Sequence, residues 1–266
     1  MPEGDVLFRT AATLRRWIGG REITDAVSRV PGLAAERLVG RTVDSVDAFG
    51  KHLLVRLDSG QVLHTHLRMT GSWHVYSAGE AWQRPERQAR VVLTCGARVA
   101  VCFNAPVIEL LAPRAEHAHP SLANLGPDVL TVPLDLDTIR RRARAGPPGR
   151  ALGELLLDQR VVAGIGNVWR CEALWTESLH PWTAVGEIDD GRLDDLMATA
   201  GRLMRANLGP AGGSRRSGHA GQAETHQVYG RAGRPCPRCA TLIEARPQGE
   251  HARTAYWCPG CQPRTA

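Results

Sequence analysis

Apolar residues recur at helical spacing at the start of the chain and again in its C-terminal half. Residues 3–18 gather apolar side chains on one face, with arginines outside, and Gly19-Gly20 ends the predicted helix. Four later segments show the same spacing and predict helices over 135–145, 151–160, 167–178 and 190–208. The pattern therefore predicts one N-terminal helix and a separate helical part.

Between these helices the pattern changes to short alternating runs rich in β-branched residues. They predict strands over 41–48, 52–57, 61–67, 72–76, 89–94, 98–103 and 107–112. Many short strands without intervening helices are typical of a β-sandwich. The predicted fold class is therefore α+β, with an N-terminal helix and β-sandwich followed by helices. The segment from Pro113 to Pro133 reads as a linker, and the stretch 210–222, rich in Gly, Ser and Arg, as a loop.

Two C-x-x-C pairs lie near the C-terminal end, Cys236-Pro237-Arg238-Cys239 and Cys258-Pro259-Gly260-Cys261, with 18 residues between them. This spacing predicts a structural zinc site of four thiolates, with a hairpin between the pairs. The alternatives are two disulfides, which require an oxidising compartment, or a redox motif, which would follow a strand in a βαβ unit. The remaining cysteines, Cys95, Cys102 and Cys171, are expected to be buried.

Composition limits the function further. The formal charge is +6 and the pI about 9.2, which favours a polyanionic partner, although an indifferent basic surface would look the same. The chain shows no signal-peptide pattern and no apolar run near 18 residues, so we expect a soluble, intracellular protein.

The first residues carry candidate chemistry. Initiator methionine is normally removed before a residue as small as proline, which would leave Pro2 as the N-terminus. An α-amino group has a pKa of about 8, so part of it is neutral and nucleophilic near neutral pH. A secondary amine that attacks a sugar aldehyde carbon gives an iminium ion, and Glu3 beside it could move protons. The alternative is a Met-Pro start without functional meaning.

Two internal features are further candidates. Lys51 is the single lysine among 33 basic residues, and arginine cannot replace a compact ammonium that gives up a proton. Chance survival of one lysine is the alternative. In the helical part, Gly164 and Gly166 break one helix, and Asn167 is positioned to cap the next, where backbone N–H groups can hold a phosphate. The alternative is an ordinary helix-turn-helix within a core.

Together these residues resemble the formamidopyrimidine-DNA glycosylase/endonuclease VIII family of DNA repair enzymes. The matching segments, in order along the chain, are Pro2-Glu3-Gly4, Gly50-Lys51-His52-Leu53-Leu54, His66-Leu67-Arg68-Met69-Thr70-Gly71, Leu125-Gly126-Pro127-Asp128, Gly164 to Asn167, Val228-Tyr229-Gly230-Arg231 and Arg253-Thr254-Ala255-Tyr256-Trp257-Cys258.

The resemblance implies a fold in four parts. These are a catalytic β-sandwich domain over 1–115, a linker over 116–134, a helix-two-turns-helix DNA-binding domain over 135–222 and a zinc-ribbon finger over 223–266. It also implies one structural Zn²⁺ held by Cys236, Cys239, Cys258 and Cys261. The expected partner is damaged DNA, bound by a monomer without a small-molecule cofactor in the bacterial cytoplasm, at the nucleoid.

The resemblance further implies a bifunctional DNA glycosylase/AP lyase that acts on a flipped-out nucleotide. Pro2 would attack the sugar and Glu3 would protonate its ring oxygen, before β- and δ-elimination. Lys51 and Arg253 would serve the elimination steps at phosphates. The DNA-binding set would be His66, Arg68, Met69 and Asn167, with Met69 as the apolar wedge in the vacated stack.

The chain also departs from the family pattern. Asp5 precedes Val6, where the family carries a carboxylate at position 6, so whether Asp5 replaces that carboxylate stays open. Phe103-Asn104-Ala105-Pro106 stands where the guanine-repairing branch has Arg-Arg-Phe. With Gly4, this favours the endonuclease VIII branch and oxidised pyrimidines, although the Met69 loop resembles the other branch. The alternatives are a formamidopyrimidine/8-oxoguanine glycosylase or a zinc-ribbon nucleic-acid-binding protein without catalysis.

Overall fold

The computed structural model describes residues 2–209 and 226–264, so the predicted loop over 210–222 lies outside the described residues. Five α-helices and ten strands follow in chain order: α1 Gly4–Ile18, β1 Asp25–Ser28, β2 Val43–Phe49, β3 His52–Leu57, β4 Val62–His66, β5 Ser72–Ser77, β6 Ala89–Cys95, β7 Arg98–Phe103, β8 Val107–Leu111, α2 Leu136–Arg144, α3 Leu152–Leu155, α4 Asn167–Thr176, α5 Asp190–Ala206, β9 Glu244–Gln248 and β10 Arg253–Trp257.

The described residues form two compact units, one of 2–124 with 208–209 and one of 125–207 with 226–264. The boundary between them falls inside the stretch 116–134 that the sequence predicts as a linker. Residues before the boundary pack on the first unit, since the carboxylate of Glu116 lies 2.7 Å from the guanidinium of Arg56 on β3. Among the described residues, no helix combines the length and the apolar content that crossing a membrane requires.

The first unit is the predicted β-sandwich. Its two antiparallel sheets have the strand orders β1-β6-β7-β5 and β2-β3-β4-β8. Alternation places Leu53, Val55 and Leu63 in the core, while their polar neighbours face away from it. Helix α1 contributes the apolar stripe Leu7, Ala11, Leu14 and Ile18 to the same core. The sandwich and the helix therefore share one hydrophobic core.

Most of the predicted elements match the observed ones within two residues, but two differ. The strand β1 is only four residues long and lies at a sheet edge, where pairing with β6 rather than its own pattern defines it. The helix predicted over 151–160 ends at Leu155. It ends there because the Asp158 carboxylate accepts hydrogen bonds from the backbone N–H of Arg160 and from the side chains of Arg150 and Arg160, which closes a turn. The hairpin predicted between the two cysteine pairs is present and consists of β9 and β10.

The second unit packs α2 to α5 around an apolar core of its own, which includes Leu155, Val162, Leu174 and Met197. The segment that leads into this unit runs very close to the turn before α4. Gly126 N–H bonds to Gln159 O, Ala163 N–H bonds to Pro127 O, and Asp128 pairs with Ala163 in a parallel bridge. A side chain at position 126 would meet the backbone carbonyl of Val161. Glycine is therefore required there by a close approach of two backbone segments.

We expect Gly126→Ala to lower the free energy of unfolding by about 1–3 kcal/mol, because overpacking against the backbone cannot be relieved by a rotamer change. Gly149→Ala is the matched control, since an added Cβ there meets nothing within 4 Å. Hydrogen exchange of residues 125–207 measures the effect on the second unit alone. Equal protection in the two variants would show that the close approach relaxes without cost.

Candidate active site

The first candidate residues stand at the N-terminus of α1. Glu3 precedes the helix in an extended conformation, and its carbonyl accepts hydrogen bonds from the N–H groups of Val6 and Leu7. Pro2 and Glu3 are both buried, and Glu3 is only 1% exposed to solvent. A carboxylate at this end of a helix is favoured by the helix dipole. The chain thus places Pro2 and the acidic side chain that follows it on a fixed helix end.

Asp5 lies in the first turn of the same helix. It is 2% exposed, and its carboxylate lies 3.9 Å from the guanidinium of Arg9, one turn further along. A second buried carboxylate is therefore present near Pro2, two positions after Glu3. Its burial is compatible with a role in the site.

Lys51 occupies the turn between β2 and β3. Gly50 adopts a left-handed conformation with φ 57°, which closes the hairpin between Phe49 and its partner His52. The strand pairing of β3 with β4 sets His52 opposite His66. Burial, and then the positive charges of Arg68 and Lys51, lower the pKa of His66 to about 4. Arg68 and Lys51 are thus both within electrostatic reach of His66.

The loop after β4 is held tightly at both ends. The Arg68 N–H donates to Nδ1 of His66 over 3.1 Å, and Arg68 itself adopts φ 50°, an uncommon conformation for a residue with a side chain. A Cβ on Gly71 would meet the backbone of Leu67. At the tip, Met69 is 63% exposed. An exposed apolar side chain on a rigid loop is the arrangement that a wedge requires.

A second loop stands beside the Met69 loop. The hydroxyl of Thr70 donates to the carbonyl of Asn104 over 3.2 Å, and the Asn104 amide donates to the Gln88 side chain over 3.0 Å. Asn104 has φ 51°. The short Phe103-Asn104-Ala105-Pro106 turn is therefore a defined structure, and the position next to the Met69 loop carries an amide rather than an arginine.

Sequence reasoning missed a chain of side chains behind these loops. Nδ1 of His52 lies 2.9 Å from Nε2 of His64, and Nδ1 of His64 lies 3.3 Å from Glu109 Oε2. Burial, followed by neighbouring positive groups, lowers the pKa of His52 to about 2. The signal in the sequence was the alternation His64-Thr65-His66, but only the strand register shows that these histidines share a face with His52 and Glu109.

In the second unit, Asn167 and Arg253 are tied to the same hairpin. Asn167 is the first residue of α4 and not its cap: the capping position is Gly166, and no side chain caps the helix. The Asn167 amide instead donates to the carbonyl of Thr254 over 2.9 Å. The buried guanidinium of Arg170 donates to the carbonyl of Arg253 over 3.1 Å. Helix α4 therefore fixes the start of β10, where Arg253 stands.

The helix α4 also anchors the chain that enters the cysteine-bearing segment. The carboxylate of Glu172 accepts hydrogen bonds from three consecutive backbone N–H groups, those of Gln227, Val228 and Tyr229, at 2.9, 3.0 and 2.9 Å. Hydrogen bonds to a charged acceptor are stronger than neutral ones. The segment that resembles the family at Val228-Tyr229 is thus bound to the rigid helix.

The four cysteines converge as the spacing predicts. Their Sγ atoms are separated by 3.8 Å for Cys236–Cys261, 3.4 Å for Cys239–Cys258 and 3.3 Å for Cys239–Cys261. These separations exceed a disulfide bond of about 2.05 Å and fit thiolates around one ion at about 2.3 Å each. Hydrogen bonds with Thr241 lower the pKa of Cys239 to about 6, whereas burial and neighbouring sulfurs raise the pKa of Cys261 to about 12. The four sulfur atoms are thus placed so that they could hold one metal ion.

The other three cysteines are buried, as expected. Burial raises the pKa of Cys95 to about 11 and that of Cys171 to about 11. These thiols stay protonated at neutral pH and act as small apolar side chains.

Relatives of known class cover almost the whole chain. It is 42% identical over 266 residues to a probable endonuclease 8 2 of Streptomyces coelicolor, which covers 98% of this chain and 94% of that protein. It is 36% identical over 268 residues to a DNA-(apurinic or apyrimidinic site) lyase Nei2 of Mycolicibacterium smegmatis, with 98% and 99% covered. An endonuclease 8 of Escherichia coli is 33% identical over 265 residues, with 98% and 100% covered.

Solved structures share the fold. MutM (Fpg) of Thermus thermophilus aligns with a TM-score of 0.83 at 28% identity, over 100% of both chains. Lactococcus lactis Fpg, solved with DNA containing an abasic site, aligns with a TM-score of 0.84 at 20% identity, over 98% of this chain and 100% of that one. At this low identity, the alignment shows a shared fold and nothing more.

Family models match both units. Residues 1–106 match the formamidopyrimidine-DNA glycosylase N-terminal domain, and residues 125–217 match the formamidopyrimidine-DNA glycosylase H2TH domain. The α+β fold expected from the resemblance is confirmed. The chain therefore belongs to the formamidopyrimidine-DNA glycosylase/endonuclease VIII family of DNA repair enzymes.

Proposed function

We propose that this protein removes oxidised pyrimidines from DNA through a Schiff base on Pro2. Its class follows from its relatives: it is a bifunctional DNA glycosylase/AP lyase of base excision repair. The observation that carries the proposal is the buried Pro2-Glu3 pair at the N-terminus of α1. It joins a secondary amine, once Met1 is removed, to a carboxyl group on a rigid element.

The proposed chemistry begins at the flipped-out nucleotide. The Pro2 nitrogen forms a bond to C1′ while the bond from C1′ to the damaged base breaks. The base leaves with the bonding electrons and takes up one proton, and the Pro2 nitrogen loses its own proton. Glu3 gives a proton to the ring oxygen, so the sugar opens and an iminium ion forms. The iminium withdraws electrons from C2′, which can then lose a proton. The 3′ phosphate leaves by β-elimination and the 5′ phosphate by δ-elimination.

The remaining residues of the first unit bind and shape the DNA. Lys51, on its hairpin turn, contacts phosphate as an ammonium and serves the elimination steps. Arg68, which together with Lys51 lowers the pKa of His66, binds the same backbone, and so does His66. Met69 fills the gap in the base stack, as apolar side chains do in kinked DNA. These roles fit two cationic residues, the half-buried Lys51 and the exposed Arg68, on either side of a neutral His66, with the exposed apolar tip of Met69 on the same loop as Arg68.

In the second unit, Asn167 and Arg253 hold the phosphates that flank the lesion, with Arg253 serving the δ-elimination step. One Zn²⁺ held by Cys236, Cys239, Cys258 and Cys261 fits the donor set, since four thiolates leave no open position for catalysis. The ion would stabilise the hairpin that carries Arg253. Its role is therefore structural.

The preferred lesion is the finer part of the proposal. Gly4 and the Asn104 turn, which has no arginine to pair with an orphaned base, favour the endonuclease VIII branch. The rigid Met69 loop favours the second candidate, a formamidopyrimidine/8-oxoguanine glycosylase. Damaged DNA as the partner has support from relatives that act on DNA.

We also propose that the enzyme is a monomer without a small-molecule cofactor that works on chromosomal DNA, at the nucleoid of the bacterial cytoplasm. Its functional parts are the β-sandwich over 1–115, the linker over 116–134, the helix-two-turns-helix domain over 135–222 and the finger over 223–266.

Borohydride trapping tests the nucleophile. Reduction of the iminium should crosslink the protein to DNA with an abasic site, and peptide mapping should find the sugar on Pro2. A cleavable tag ahead of Pro2 should abolish trapping, because an amide nitrogen is not nucleophilic, and cleavage of the tag should restore it. A crosslink on Lys51, or full trapping with the tag in place, would overturn the proposal.

Lys51→Arg tests whether the lone lysine does more than neutralise phosphate. The variant keeps the charge and loses the titratable amine. We expect single-turnover excision of intact damaged bases to fall by about 100- to 10,000-fold, the usual range for general acid–base groups. Cleavage at preformed abasic sites should be less impaired, since the base is already gone.

Arg41→Lys, an exchange of the same pair of residues at an exposed position, serves as the control and should react like the wild type. Rates are compared at saturating enzyme, so that weaker DNA binding does not contribute. Wild-type rates for Lys51→Arg on both substrates would leave Lys51 without a role beyond phosphate binding.

A further inference from the structure

We propose that His64, Glu109 and His119 form a second metal site, for a divalent cation such as Zn²⁺, Co²⁺ or Ni²⁺. The site lies on the face of the β2-β3-β4-β8 sheet that is turned away from the sandwich core, under the segment that follows β8. It is separate from the four cysteines, which belong to the second unit. The proposal rests on the geometry and charge of these three residues and is independent of the catalytic mechanism.

The donor atoms converge because of strand register. His64 on β4 stands directly opposite Glu109 on β8. Its Nδ1 lies 3.3 Å from Glu109 Oε2, and Nε2 of His119 approaches the same oxygen to 2.9 Å. One donor atom from each residue lies within 4.8 Å of the other two. An ion at about 2.0–2.2 Å from each nitrogen and oxygen fits between donors at these separations.

The far sides of both rings are also supported. Nε2 of His64 lies 2.9 Å from Nδ1 of His52, and Nδ1 of His119 lies 3.0 Å from the hydroxyl of Ser121. Histidines that bind metals almost always use their second ring nitrogen in this way, because the outer hydrogen bond fixes the tautomer and the ring plane. Both imidazoles are therefore oriented toward Glu109 before any ion binds.

The charges around Glu109 are compatible with a bound cation, because this carboxylate has no arginine or lysine partner among the ion pairs of the described residues. In the part of the chain that the structure describes, the Glu109 carboxylate makes its close charged contacts only with the two histidines. The nearby Arg56 is engaged with Asp47 at 2.8 Å and with Glu116 at 2.7 Å. Two imidazoles and one carboxylate suit borderline divalent metals.

The site is reachable, and it has a structural consequence. The His64 ring is fully buried, but the side chains of His119 and Glu109 are 18% and 44% exposed, so an ion can enter from the side of His119. His119 lies in the segment after β8, whereas His64 and Glu109 are on the sheet. A bound cation would fix that segment to the sheet, next to the Glu116–Arg56 pair, and would stabilise the end of the first unit.

Equilibrium dialysis of the full chain against Zn²⁺ or Co²⁺ tests the site through the number of ions bound per chain. His119→Ala should bind one ion fewer than the wild type, and Glu109→Gln, which keeps size and hydrogen bonding, should do the same. His117→Ala is the matched control, since it removes an exposed histidine two positions away and should bind as many ions as the wild type. The difference of one ion does not depend on whether the cysteines are loaded.

Cobalt gives a second readout, because a thiolate site shows a sulfur-to-cobalt charge-transfer band and a site of nitrogen and oxygen donors does not. The ion lost in Glu109→Gln should leave that band unchanged. Thermal unfolding of each variant confirms that the chain is folded. Equal metal content in the wild type, His119→Ala and Glu109→Gln would overturn the proposal and leave the three side chains as a hydrogen-bonded chain alone.

Discussion

The position of the proposed nucleophile depends on the burial of one helix. Pro2 stands two residues before α1, so any fraying of the helix would move it. The stripe of Leu7, Leu14 and Ile18 prevents this by packing into the sandwich core, where each side chain is at most 1% exposed. Full burial of such a side chain contributes about 1.5–3 kcal/mol. An end of the chain that would ordinarily be poorly ordered thereby becomes a fixed element.

In the second unit, polar contacts hold the hairpin that carries Arg253 in position. The hairpin of β9 and β10 is short and has little core, and two strands alone are marginally stable. Helix α4 holds it through Asn167 and Arg170, and Glu172 binds the chain that leads into it. Arg170 is fully buried, and its guanidinium also reaches Gln248 Oε1 over 3.2 Å. The base of the hairpin is therefore tied at both strands, on Gln248 and on Arg253, before any contribution from a metal ion.

Much of this architecture could be predicted from the sequence, because alternation and helical spacing report burial directly. The strand β6 alternates buried and half-buried positions, and its buried Val91, Leu93 and Cys95 enter the core. What could not be predicted depends on contacts between distant segments. The short strand β1 is defined by its pairing with β6. Helix α3 ends before Asp158, whose carboxylate accepts hydrogen bonds from the side chains of Arg150 and Arg160. The helical start at Asn167 shows the same limit, since its amide bonds to Thr254 rather than capping the helix.

The residues of the candidate site also fall into those that the sequence suggests and those that only the structure brings together. Pro2, Glu3, Lys51 and the cysteines stand out by residue type and spacing, so sequence alone is enough to propose them as candidates. The association of His52, His64 and Glu109 requires the register of three strands, which no local pattern contains. The choice of lesion is harder still, because Asn104 and Met69 stand on linked loops and favour different branches of the family.

Single-turnover excision from matched duplexes therefore tests the central claim most directly. Each duplex carries one dihydrouracil, thymine glycol or 8-oxoguanine in the same sequence context, and the rate of base loss is measured at saturating enzyme. The account predicts faster release of the two oxidised pyrimidines than of 8-oxoguanine. Release of 8-oxoguanine at an equal or higher rate would contradict it and assign the chain to the guanine-repairing branch.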